Sequence, residues 1–163
     1  MQNKSFGTYI AGVALTLAAS AAFAQVPQYG PDVNITQARK AMAAAVADAR
    51  RQNLPMAIAI VDNHGTLVAF ERMDNTQIGS VGVAQDKAAS AAMFRRSTKV
   101  FQDVVAGGGA GLRVLTLRGA NAVEGGVPIF IDGKIAGAIG VSGGSSEQDG
   151  VVAKAGTDAL SAN

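Results

Sequence analysis

The stretch "GGVPIFIDGKIAGAIGVSGG", residues 125–144, constrains the fold more than any other part of this chain. Two apolar runs flank Asp132-Gly133, a dipeptide suited to a two-residue type I′ turn. A turn that short can only join antiparallel strands. Gly137 and Gly140 weaken the second strand unless something packs close to its backbone. An earlier pair of β-rich runs, "MAIAIVD" and "TLVAFERM", is separated by "NHG", where Asn63 and Gly65 suit a turn. Two hairpins therefore anchor the reading.

Helical patterns fill the intervals. "QARKAMAAAVADARRQN" places Ala38, Met42, Ala45, Val46 and Ala49 on one face. Thr36 is the expected N-cap, and Pro55 forbids continuation. Residues 80–98, "SVGVAQDKAASAAMFRRST", read as a second helix with Ser80 as cap, and "KVFQDVVAG" as a short third. "GGGAG" at 107–111 breaks that helix, and "RVLTL" reads as a short strand or an extended loop. In the last segment Ser145 and Gln148 form a capping-box pattern, so a final helix is expected. The order is helix, hairpin, helices, hairpin, helix. This is the α+β class, one antiparallel sheet with helices on its faces or ends, and not a doubly wound parallel sheet.

The first 24 residues are not expected to belong to the fold. Lys4 precedes "YIAGVALTLAASAAFA", which ends in Ala22-Phe23-Ala24. A positive start, a short apolar run and an A-x-A site read as a secretory signal peptide cleaved after Ala24. The expected mature protein is periplasmic or secreted, with no stable membrane insertion. Residues 25–34 read as an N-terminal arm and 35–163 as one domain. Without Lys4 the 14 basic residues become 13 against 12 acidic, a formal charge of +1. A balance that close excludes the basic field of a nucleic-acid binder. The chain has no cysteine, hence no disulfide framework and no thiolate metal site.

Few residues remain to carry chemistry. His64 is the single histidine. It is either a solvated turn residue or a ligand to a metal or haem iron. A zinc site needs three or four ligands, which one histidine and no cysteine do not supply. Other possible donors are Met42, Met73, Met93, Tyr29 and Lys87. Val83, Lys87, Ala91 and Phe94 share one helical face, so Lys87 either snorkels to water or meets an anion in an apolar pocket. Arg72-Met73-Asp74 ends the first hairpin, as a salt bridge or as an arginine facing an acidic ligand group. No nucleophile elbow is present.

Three ordered blocks, "IAIVDNHGTLVAFERMD", "DKAASAAMFRRST" and "GGVPIFIDGKIAGAIGVSGGSSEQDGVVAKAG", together resemble the GlcG/HbpS-like family, which includes the C-terminal domain of PduO. The similarity runs from about Ile35 to Leu160. It implies a profilin-like α+β fold with a five-stranded antiparallel sheet flanked by helices, assembled as homo-oligomers. It also implies haem as cofactor, bound at or near subunit contacts. The family's recurrent lysine falls on Lys87, its threonine on Thr98, its Gly-Gly-x-Pro on Gly125, Gly126 and Pro128, and its R-M-D on Arg72, Met73 and Asp74. Many members carry a histidine just after the hairpin glycine, where Thr66 stands here. On this resemblance a tetrapyrrole lies against Phe94, Met73 and Val127, with Lys87 and Arg72 on its propionates and His64 or Thr98 near the iron. The rival expectation is a small hydroxy acid or other carboxylate, held by Lys87 and Arg72 while His64 or Asp74 moves a proton.

Overall fold

A computed structural model describes residues 26–161. The expected signal peptide lies outside these described residues. Helix α1 spans Ile35–Arg51, strand β1 Ala57–Val61, β2 Leu67–Arg72, helix α2 Ser80–Phe94 and α3 Thr98–Ala106. A 3-10 helix covers Gly109–Thr116. Strands β3 (Gly126–Ile131) and β4 (Lys134–Ser142) follow, then helix α4, Ser146–Ser161. The antiparallel sheet has the order β2-β1-β4-β3.

The α+β class and the flanked antiparallel sheet are as expected, but the sheet has four strands and not five. The segment expected to extend as "RVLTL" winds instead into the 3-10 helix through Thr116. Gly108 and Gly109 turn the chain at positive φ, and Gly111 lies so close to the Val104 carbonyl that a Cβ would collide with it. The segment is thereby folded back on α3.

At the second hairpin Asp132 and Gly133 have φ of 50° and 72°, the pair of positive angles of a type I′ turn. Strand β1 shows how the sheet is packed. All five residues of "AIAIV" are buried, with period-two alternation of size. Ile58 and Ile60 join the cluster under α1 and α4, together with Ala38, Met42, Ala45, Val46, Ala49, Ile139 and Val141. Ala57, Ala59 and Val61 face α2 and meet Ala84, Ala88, Ala91 and Ala92. One face of the sheet is bulky and the other thin. On the thin face α2 lies nearly backbone to backbone with the sheet. A Cβ at Gly140 would strike the Ala84 carbonyl oxygen, and one at Gly126 the Lys87 carbonyl oxygen. Gly140 in β4 and Gly126 in β3 accommodate that approach, whereas Gly137 lies against the Val61 carbonyl and Val33.

Two caps differ from expectation. Asn34, not Thr36, caps α1: its side chain accepts from the Gln37 N–H at 2.9 Å, and Gln37 Oε1 accepts from the Asn34 N–H at 3.0 Å. Ser80 does not cap α2. The helix starts from Gly79 without a side-chain cap, and the buried Ser80 hydroxyl pairs with Ser142 Oγ at 3.0 Å. Helix α4 has the expected Ser145/Gln148 box.

Candidate functional site

Helix α2 carries Lys87 on the face that lies against the sheet, and the side chain is 1% exposed. Its Nζ donates to Asp149 Oδ2 at 2.7 Å and to the Val141 carbonyl at 3.1 Å. Asp149, in the first turn of α4, also accepts from the Gly144 N–H at 2.9 Å. Burial pushes the Asp149 carboxyl above the usual range, while Lys87 and the Gly144 N–H pull it back. A Cβ at Gly125 would stand 2.9 Å from Lys87 Nζ and 2.8 Å from Asp149 Cβ, so only glycine leaves room for the pair. Beside it the Gly126 N–H donates to Thr98 Oγ1 at 2.9 Å, with Thr98 fully buried. These groups tie α2, α3, β3, β4 and α4 together.

Lys87, Thr98 and Gly126, expected at a ligand, lie instead in a buried polar brace, with Lys87 on Asp149 and the Val141 carbonyl and the Gly126 N–H on Thr98. The acceptor for Lys87 is Asp149, in the first turn of α4. The signal was present: a lysine in an apolar stripe needs a buried acid. Two acids stand in the first turn of α4, and of these Asp149 turns inward while Glu147 is exposed.

His64 is held at the tip of the first hairpin by Asp62. Asp62 Oδ1 accepts from the His64 N–H at 2.8 Å and from the Thr66 N–H at 2.9 Å, an Asx-type turn. Asp62 thus orients the backbone and not the imidazole. The His64 side chain is exposed and lines a cavity of about 480 Å³ with Tyr29, Gly30, Pro31, Asp32, Asn63 and Met93. The arm from Tyr29 to Asp32 forms the opposite wall. The Asn63 N–H donates to Asp32 Oδ1, Asn63 Nδ2 donates to the Gly30 carbonyl, and the Tyr29 hydroxyl donates to the Ala92 carbonyl. Asn63 Oδ1 is buried with no partner, the one such side-chain atom among the described residues. Tyr29 and Met93, two of the alternative donors, therefore share a cavity with His64, which no spacing in the sequence signals.

The remaining expected contacts lie elsewhere. Arg72 and Met73 line a separate cavity of about 570 Å³ with Arg50, Asn53, Leu54, Pro55, Glu71, Asp74 and Asn75. Val127 and the buried Pro128 border a third, of about 390 Å³, beside α4. Phe94 packs edge-to-face on Phe101 with ring centroids 5.2 Å apart. Strand β2 runs six residues from Leu67 beside the turn to Arg72, about 17 Å. His64 and Arg72 thus stand at opposite ends of one hairpin. No cluster of three metal-ligating side chains occurs among the described residues.

The model for the family described as "Haem degrading protein HbpS-like" matches residues 33–158. The chain belongs to the HbpS-like family. An uncharacterized 15.0 kDa protein of the dhaT-dhaS intergenic region of Citrobacter freundii is 32% identical to this HbpS-like chain over 131 residues, covering 79% of the chain and 92% of that protein. Protein GlcG of Escherichia coli K12 is 38% identical over 101 residues, covering 62% and 74%. Among solved structures, that of a PduOC:heme complex superposes with a TM-score of 0.72 at 31% identity, covering 79% of the HbpS-like chain and 95% of the other.

Proposed function

We propose that this HbpS-like protein is an exported, oligomeric haem-binding protein whose iron lies at the His64 cavity. The observation that carries the reading is the meeting of His64, Tyr29 and Met93 around one concavity. Imidazole and thioether are axial donors to haem iron, while the Tyr29 hydroxyl is engaged by the Ala92 and Met93 carbonyls. The likeness to a PduOC:heme complex supports the choice of ligand. Bound haem would supply the redox and oxygen chemistry of its iron. The protein's part would be to supply the donor at this cavity. Arg95, stacked over the Tyr29 ring at 5.3 Å, is a cation at this end of the molecule suited to a propionate.

Hemin titration of the mature protein should give a saturable Soret shift. His64→Ala should weaken binding at least tenfold, about 1.4 kcal/mol, and move the Soret maximum. His64 is exposed, so the fold should survive the change. An unaltered affinity and spectrum would remove His64 as the iron donor.

Oligomerisation is supported by an apolar strip on α3 and the 3-10 helix. Val100, Val104, Leu112 and Leu115 are exposed there, Leu115 at 65%. Contiguous exposure of this kind marks an interaction surface. Native mass spectrometry should find assemblies of a subunit beginning at Gln25. Leu112→Lys with Leu115→Lys should shift the population toward monomer. A monomeric wild type, or a subunit retaining residues 1–24, would contradict the reading.

A further inference from the structure

The protein has no cysteine, so its sulfur chemistry rests on methionine. Among the described residues the methionines are Met42, Met56, Met73 and Met93. Three of them pack on the bulky face of the sheet. Met42 and Met56 are buried in the cluster under α1 and α4, and Met73 is half-buried against it. Met93 is different: it stands in the last turn of α2 and is 44% exposed. An oxidant has to reach the sulfur, so exposure sorts the four.

The Met93 side chain is placed by segments distant in sequence. A Cβ at Gly65, in the first hairpin turn, would stand 3.7 Å from Met93 Cγ, and one at Gly119 would stand 3.1 Å from its Cε. Both glycines have positive φ, 79° and 81°. The sulfur, bonded between Cγ and Cε, thus links the hairpin turn to the chain that follows the 3-10 helix. The Met93 carbonyl accepts from the Tyr29 hydroxyl at 3.1 Å, which ties the arm to the same residue. The side chain also lines the cavity of about 480 Å³ that His64 lines. A thioether there is an apolar, adaptable wall. Its sulfoxide is polar and chiral, and puts an acceptor oxygen on that wall.

We infer that Met93 is a reversible oxidation site for hydroperoxides, and that its sulfoxide lowers the affinity of the adjoining cavity for hemin. The sulfur lone pair attacks the terminal peroxide oxygen; an S–O bond forms as the O–O bond breaks. Sulfur gives up two electrons and the peroxide takes them. The leaving hydroxide or alkoxide takes the proton of the transferred oxygen, giving water or an alcohol. Reduction back, with loss of the oxygen as water, draws two electrons from a thiol-dependent sulfoxide reductase. The effect on affinity rests on the haem reading of this cavity; the selectivity of oxidation does not.

The test is a hydrogen peroxide time course on the purified, hemin-free protein, with the sulfoxide of each methionine followed by peptide mass spectrometry. Met93 should oxidise at least about tenfold faster than Met42 and Met56, with Met73 between them. Methionine sulfoxide reductase should return Met93 to its parent mass. Once the peroxide is removed, hemin should bind the oxidised protein at least about fivefold more weakly than the untreated protein, with circular dichroism confirming that the fold is kept. Met93→Leu, an apolar side chain of similar volume, should give the same hemin titration before and after peroxide. Oxidation of Met93 no faster than that of the buried methionines overturns the site. Oxidised protein that takes hemin as tightly as untreated protein overturns the effect on the cavity, and so does an equal loss in Met93→Leu. Untreated protein that takes no hemin removes the haem reading and the effect on affinity with it, while the order of oxidation still decides whether Met93 is the site.

Discussion

Lys87→Met should destabilise the protein by about 3–5 kcal/mol at neutral pH, the cost of leaving one member of a buried ion pair without its partner. The methionine keeps the volume and the stem packing, so the loss reads the missing charge. Exposed pairs such as Lys154–Asp158 are expected to matter little in comparison, because water screens them. The pH dependence is specific. Burial already raises the Asp149 carboxyl, and removing Lys87 takes away the largest influence holding it down. The folded-state value then stands further above the unfolded one. A carboxyl raised in this way contributes stability that is complete below its unfolded value and lost as pH rises through its folded value. Denaturant melts of Lys87→Met should therefore show a small penalty near about pH 4 and a larger one near about pH 7. Lys87→Met/Asp149→Leu should recover most of the loss and flatten the pH profile, since an apolar pair of similar size replaces a buried ion pair at little cost. A penalty independent of pH, or a double variant no better than the single, would contradict this role for the pair.

Gly140→Ala should destabilise by more than about 3 kcal/mol, above the ordinary overpacking range. The new methyl meets the Ala84 carbonyl oxygen, the Ala88 nitrogen at 2.5 Å and the Ala88 Cβ at 2.9 Å. Two of these three atoms are backbone, so no change of rotamer relieves the contact. Helix α2 must lift from β4, which separates Ala84, Ala88 and Ala91 from the strands and draws Lys87 off the Val141 carbonyl. The comparison variant is Gly82→Ala, in the first turn of α2 on its exposed side, where a Cβ meets nothing within 4 Å. That change should stabilise by about 0.5–1 kcal/mol through helix propensity alone. Urea midpoints of the two variants should move in opposite directions, and a shift of Gly140→Ala below about 1 kcal/mol would mean that α2 is not seated on the sheet as described.

The candidate site was less legible than the fold. Each hairpin is a local object, so "IDGK" and "NHG" announce it within a few residues. The buried face of α1 follows from period 3.6. The count of five strands was implied by the family resemblance and not by the residues, and "RVLTL", read as a short strand or an extended loop, is a 3-10 helix because glycines fold it back against α3. Lys87 was singled out rightly as unusual. Its partner lies 62 positions away, so periodicity within α2 could not distinguish an outward ligand from an inward aspartate. His64 shows the reverse. Its turn was legible, but the wall facing it comes from Tyr29 and Met93, on an arm and a helix distant in sequence.

From the residues alone came the antiparallel pairing, the α+β class and the blocks that mark the family. These depend on turn chemistry and on the side-chain period of one segment at a time. Which charges are matched and which are left open was decided only by tertiary structure. Burial and partnership are properties of what packs opposite a residue, and the packing of α4 against α2, or of the arm against the hairpin, is encoded in no single stretch of the chain.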